Sequence, residues 1–266
     1  MQIVSGLVVL LNLGLALVVG IRLLRRWSRG DGVPERSLAI YFLASAFLGS
    51  VPQIIVYGSV ADPSWSLSDL QVRLLLCMAI FGMAVGAGGV YIFTWRTFRP
   101  DRLWAGVAVG VGFGALAFGF LFEAVNDGFV LALFPGLGHW LGWAGRTLPM
   151  LWVSIEAFRY YALLRRRLRL GLADPVLTNR FLLWGIWAAT VFLNLSADPV
   201  ARVAYAVSAG TSGGEVVAEI AAPIILVTIS VTMALGAVSA VTLFLTFFAT
   251  RSYRRWIEAS SATRSA

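Results

Sequence analysis

The chain predicts an all-α polytopic membrane protein, a bundle of seven transmembrane helices with its N-terminus outside and its C-terminus in the cytoplasm. Three observations carry this. Hydrophobic residues make up 59% of the 266, and only 13% are charged, with a mean hydropathy of +0.83, far from the balance of a soluble domain. Mostly apolar stretches of about 18 residues or more, long enough to cross a hydrocarbon core about 30 Å thick, occur seven times. Arginines gather in alternate loops between those stretches. Backbone amides in lipid must bond within their own segment or a closed barrel, and no alternating ten-residue pattern is present, so each span is expected to be a helix.

The spans fall at 3–24, 37–58, 70–95, 103–124, 138–163, 181–198 and 218–249, making residues 1–250 one transmembrane domain and 251–266 a short basic tail. The first span is read as retained, because Arg22, Arg25, Arg26 and Arg29 follow the apolar run instead of preceding it, and no small-residue cleavage site comes before them. The second carries Pro52-Gln53, expected to kink the helix near its outer end with the freed carbonyl satisfied by a neighbour. Gly106, Gly110 and Gly114 repeat every four residues in the fourth span. They predict a close helix contact, with Gly82 and Gly86 of the third span as a matching surface, or a homo-oligomer seam as the other outcome. The seventh span, about 32 residues, should tilt or project. It sets Thr228, Thr232, Ser239, Thr242 and Thr246 on one face, with Leu235 filling the gap. Such hydroxyls bond their own helix carbonyls or line a solute path. Trp27, Trp65, Trp95, Trp104, Trp140, Trp143 and Trp256 fall near the predicted interfaces as belt residues, with Trp152 and Trp187 as a deeper aromatic pair.

Orientation follows from charge. Arg25, Arg26, Arg29 and Arg36 follow the first span, Arg96, Arg99 and Arg102 the third, and Arg165, Arg166, Arg167, Arg169 and Arg180 the fifth. Arg251, Arg254, Arg255 and Arg264 fill the tail. Seven crossings place all of them on one side, which the positive-inside rule makes cytoplasmic. The opposite face carries most of the acids, Asp62, Asp69, Glu123, Asp127, Asp198, Glu215 and Glu219. The net charge of +8 is thus a topology signal, and short arginine loops beside spans are anchors to anionic lipid, not a nucleic-acid groove. They also offer contact points for a cytoplasmic or membrane protein partner. The arginine-only basic content suits a bacterial cytoplasmic membrane.

Absences narrow the chemistry. All 21 basic residues are arginine, so although seven spans with an outer N-terminus are similar in number to microbial rhodopsins, no Schiff-base lysine exists and covalent retinal is excluded. A non-covalent lipid or pigment stays open. One cysteine, Cys77, forbids an intrachain disulfide. One histidine, His139, cannot build a bis-histidine haem or a three-histidine zinc site. Ser212, in "AGTSGGE", has no histidine after it, which removes the rhomboid arrangement. A single Pro-Gln pair, with no partner in later spans and no internal duplication, argues against paired-repeat transporters. No nucleophile, base and oxyanion set can be assembled, so an enzyme is not expected, and no cofactor or metal is.

Two charges remain inside the fifth span. Glu156 has Arg159 three residues on, spacing suited to an intrahelical ion pair. Arg146 has no acid within four residues on either side. A guanidinium stays protonated, and leaving it unpaired in hydrocarbon costs at least ~3 kcal/mol. It must reach outer headgroups or meet acids on other spans. Glu123, Asp198 and Glu219, with Asn194 as a neutral neighbour, share its predicted depth. The sequence therefore leads to a polar, outward-facing cavity among the fourth to seventh spans, with Pro149 widening it. A structural ion pair fixing helix register is the competing reading. A membrane sensor or ligand-binding protein signalling through a separate partner fits best, followed by a small-solute or ion transporter and an accessory subunit of a membrane complex.

Overall fold

The computed structural model describes residues 2–28, 33–62, 64–129, 136–210, 214–248 and 250–262, apart from the side chains of 2–5, 33, 61, 198, 201–210, 214–222, 225, 254 and 258–262. Among these residues the structure is all-α. In chain order it comprises α1 (Gln2–Trp27), α2 (Val33–Leu43), the π-helical stretch π1 (Ala44–Ser50), α3 (Val51–Ala61), α4 (Asp69–Phe98), α5 (Leu103–Phe122), the π-helical stretch π2 (Glu123–Asp127), α6 (Leu137–Leu168), α7 (Pro175–Gly210), α8 (Gly214–Phe247) and α9 (Arg251–Ala262).

Among the described residues six stretches are long and apolar enough to cross a membrane: Gly6–Trp27, Pro34–Val60, Asp69–Phe98, Leu103–Asp127, Pro175–Ala197 and Leu226–Phe247. They are consistent with a multi-pass membrane protein. The fifth predicted span, 138–163, does form a helix, the 32-residue α6, but Arg146, Glu156, Arg159 and a run of glycine, serine and threonine leave it less apolar than the other six. Two predicted helix ends fall short. Helix α7 runs past residue 198 to Gly210 with Pro199 inside it, and α8 starts at Gly214, four residues before the predicted start at 218. Mostly apolar sequence runs through both extensions, so the scattered charges Asp198, Arg202, Glu215 and Glu219 punctuate these helices without ending them. The tail predicted from residue 251 contains a helix, α9, whose first turn is capped where Thr250 Oγ1 accepts from Tyr253 N at 3.3 Å.

The chain forms two compact units, Met1–Leu15 with Met150–Ala266, and Ala16–Pro149, and α1 and α6 each run through both. In the second unit the α2–π1–α3 span packs along the glycine face of α4. A Cβ on Gly82 would collide with Leu48 and Gly49, one on Gly86 with Ser45, and one on Gly89 would sit 2.5 Å from Ser37 O. Pro52 lies at the start of α3, directly after π1, and is buried. Its missing N–H is accommodated by the wider turn, in which Val51 N bonds Ala46 O and Ser50 Oγ donates to Ser45 O at 3.0 Å.

The predicted partner of the Gly106, Gly110 and Gly114 stripe is therefore wrong: Gly82 and Gly86 are occupied by the second span. Gly110 and Gly114 have open space where a Cβ would go, and Gly106 meets only Trp95. The face of α5 that packs is Ala105, Val109, Gly112, Leu116 and Gly119, a run of alternating four- and three-residue steps. Gly112 lies against Tyr91, and Gly119 against α6.

In the first unit Ser154 Oγ donates to Gly185 O at 3.1 Å, while Trp184 contacts Trp187 at 5.1 Å and Phe247 at 5.7 Å between ring centroids. Trp187, expected to pair with Trp152, thus has an aromatic neighbour one turn away on its own helix. Asn12 Nδ2 donates to Gly236 O at 3.0 Å, tying α1 to α8. Trp95, expected to keep its indole N–H wet, instead has Nε1 buried, with no hydrogen-bond partner among the described residues. The Arg96 guanidinium covers that ring, 4.5 Å from its centroid.

Candidate functional site

The packed stripe of α5 does not stop at Gly119. One turn on, at the same four-residue step, lies Glu123, only 7% exposed. A carboxylate thus ends a face otherwise made of alanine, valine, leucine and glycine. Its backbone is held in π2, which closes with Gly128 N donating to Glu123 O at 2.8 Å. Gly128 has φ +63, a left-handed conformation in which any other residue would be strained. Arg73 Nη1 donates to Gly128 O at 3.3 Å, and Arg73 Nε to Asp69 at 2.9 Å, so α4 supports this turn.

Facing the stripe is the first half of α6. A Cβ on Gly119 would lie 2.6 Å from Gly142 N and 2.8 Å from Gly138 O, and one on Gly138 would lie 2.9 Å from Glu123 N. Gly145 is equally close to Leu116. The backbones of α5 and α6 meet at this end of the seam because Gly119 and Gly138 put no side chain between them. Arg146 follows Gly138 and Gly142 on the same side of α6, and its Nε donates to Gly142 O at 3.1 Å. That bond turns the half-buried guanidinium back toward the start of α6, the end of the seam at which Glu123 lies. One turn inward, Pro149 is buried inside the helix.

Next to Arg146 in the chain is a residue that no sequence pattern singles out. Thr147 is 1% exposed, and its Oγ1 has no hydrogen-bond partner among the described residues. Leaving a buried hydroxyl unsatisfied costs about 1–3 kcal/mol. Threonine in an apolar helix ordinarily bonds its own helix, as Thr232, Thr242 and Thr246 do, and only coordinates distinguish the exception.

The remaining candidates belong to the other unit. Asn194 is half-buried in α7, and Asp198 and Glu219 are helical positions whose side chains lie outside the described residues. Along α8, Ser239, Thr242 and Thr246 are buried, whereas Thr228 and Thr232 are half-buried. Thr232 donates to Thr228 O at 2.9 Å, Thr242 to Val238 O at 2.8 Å and Thr246 to Thr242 O at 2.6 Å. These three hydroxyls serve their own helix, the first of the two roles the spacing allows. Glu156 is buried and reaches Arg159 Nη1 at 3.9 Å, the predicted intrahelical pair. No group of three histidine, cysteine or acidic residues is placed to hold a metal among the described residues. No family model, curated protein or solved structure matches the chain.

Proposed function

We propose that this chain is a non-enzymatic membrane sensor or ligand-binding protein, in which a small anion competes with Glu123 for Arg146 in a polar recess open to the exterior. The observation that carries the reading is the burial of Glu123 at the end of the α5 packing stripe, beside the α6 face that carries Arg146. A guanidinium and a carboxyl group beside an apolar seam are costly unless each answers the other, and breaking such a pair strands a polar group. Thr147, the next residue in α6, has a buried hydroxyl with no hydrogen-bond partner among the described residues. An arginine binds carboxylate or phosphate through a planar fork of donors, which makes an anion the natural competitor.

The proposal includes α6 as a seventh crossing. Its 32 residues reach about 48 Å at 1.5 Å per residue, more than a bilayer core needs. Were α6 to stay on one side, Arg165, Arg166, Arg167 and Arg169 would lie opposite the arginines after α1 and α4, against the positive-inside bias. With α6 crossing, the N-terminus is outside, the tail is cytoplasmic, and a separate partner protein carries the signal.

The test is Arg146→Gln in the purified full chain, with acetate, citrate and inorganic phosphate as thermal-shift probes. The expected result is stabilisation of the wild type by at least one probe and loss of that stabilisation in the variant, with helix content and the unliganded Tm close to wild type. Failure of the variant to assemble, with rescue by Glu123→Gln in the same chain, would make the pair structural and overturn the reading. Accumulation of the stabilising anion in proteoliposomes would identify a transporter instead.

A further inference from the structure

We propose that α9 is an interfacial helix that docks on the anionic headgroup surface of the bilayer crossed by α8. The inference is independent of the recess at Arg146. The apolar stretch of α8 ends at Phe247 and α9 begins at Arg251. The three intervening residues reach at most about 10 Å. Wherever α8 leaves the hydrocarbon, α9 begins within the headgroup layer.

The side chains of α9 divide to match that position. Tyr253, Trp256 and Ile257 share one face at i, i+3 and i+4. Ile257 is buried, and Tyr253 is half-buried with its Oη accepting from Asn179 Nδ2 at 2.5 Å, which holds the helix on the start of α7. Trp256 stacks on Tyr253 at 6.1 Å, yet remains 64% exposed. An indole on the apolar side of a short helix, still largely exposed beside its ring partner, has the amphipathic character that the headgroup boundary favours. Arg251 and Arg255, one turn apart on the opposite side, are exposed.

Charge argues for anionic lipid over a soluble acidic partner. The helix has no acid in its first turn and places Arg251 there, against its own dipole, so it gains from external anions held near that end. Each arginine at an anionic surface contributes to binding, and the short tether fixes the surface these can reach. The same combination of indole and guanidinium recurs after α1 and α4, where Arg36 lies 5.2 Å from the Trp27 ring centroid and Arg96 lies 4.5 Å from that of Trp95.

The experiment uses the full chain with Cys77→Ser and a single spin label at either Trp256→Cys or Ser252→Cys, reconstituted in phosphatidylcholine vesicles with or without phosphatidylglycerol. With phosphatidylglycerol, the label at 256 should be several-fold more accessible to oxygen than to a water-soluble nickel chelate, relative to the label at 252. Omitting the anionic lipid, or introducing Arg251→Gln with Arg255→Gln, should erase most of that preference while helix content is unchanged. In the unlabelled protein, the double variant should also retain several-fold less phosphatidylglycerol through purification. A label at 256 that stays in water in anionic vesicles overturns the inference, as does a depth indifferent to both lipid charge and the arginines. Shielding of residue 256 only after addition of a cytosolic fraction overturns it in favour of a protein partner.

Discussion

Asn12 shows how little side chain is needed to join two membrane helices. One amide in an otherwise apolar run donates to Val8 O in its own helix at 2.9 Å and to Gly236 O across the contact at 3.0 Å, and it can approach because Gly236 has no side chain in the way. Interhelical bonds of this kind average about 0.6 kcal/mol, with maxima near 1.7. Asn12→Leu should therefore lower stability by about 0.5–1.5 kcal/mol in a detergent-unfolding titration, with no loss of helix. At the head of the loop before α4, Asp62 accepts from Ser64 Oγ at 2.7 Å and from Ser64 N at 2.9 Å. Those bonds, the hydroxyl first, hold its carboxyl below the usual range. A depressed folded pKa means the contribution is complete above the unfolded value of about 3.9 and disappears as pH falls through the folded one. A carbon-detected NMR titration should place the Asp62 midpoint below that of an unstructured aspartate, and Ser64→Ala should raise it. Among single residues, the sequence made Arg146 conspicuous because a cation interrupts an apolar run. It left Asn12 and Thr147 unmarked, since small polar residues are common in such helices, and neither the distant partner of Asn12 nor the burial of Thr147 can be read from the neighbouring residues.

At the scale of an element, helix position was legible, but the ends of α7 and α8 and the choice of packing face were not. A repeat of glycines every four residues in α5 looks like a contact surface, yet Gly110 and Gly114 face open space while Gly112 and Gly119, on a steeper path with a seven-residue step, meet other helices. Several glycine ladders fit one helix, and only the neighbour's surface selects among them. Gly119→Ala should destabilise by about 1–3 kcal/mol, because the new methyl meets the α6 backbone, which cannot rotate aside as a side chain can. Gly110→Ala and Gly114→Ala should stabilise, or cost less than about 1 kcal/mol, since the methyl enters free space and removes backbone freedom from the unfolded chain. The three variants, compared by thermal unfolding in one detergent, separate the two faces directly. A similar ambiguity hid the helical nature of residues 251–262: arginine and serine together make up half of the segment, and the apolar face of α9 rests on just three side chains.

For the whole molecule, the sequence conveyed the membrane class through long apolar runs, and six such helices are present among the described residues. The candidate site was legible in part. Arg146 and Glu123 belong to one unit and approach one seam, whereas Asn194, Asp198 and Glu219 belong to the other, a division set by packing and invisible to hydropathy. The seven-crossing arrangement makes a sharp prediction. In a Cys77→Ser background, cysteines at Ser28, Ala173 and Ser252 should all be shielded from an impermeant maleimide in intact cells, whereas one at Ser66 should be labelled. If α6 does not cross, Ala173 and Ser252 should label with Ser66.

The second span also carries a mechanical consequence in π1. Its wide turn keeps Ser37, Tyr41, Ser45 and Gly49, spaced by fours, along the side of the span that meets α4, although a regular α-helix with 3.6 residues per turn would let that series spiral away. Winding π1 into a regular α-helix with no residue removed would swivel everything beyond by about 100°, the rotation that the wide turn absorbs. Gly49, Pro52 and Val56 would leave their sockets together, so the loosened coil acts as a register pin whose loss unseats half a span at a stroke.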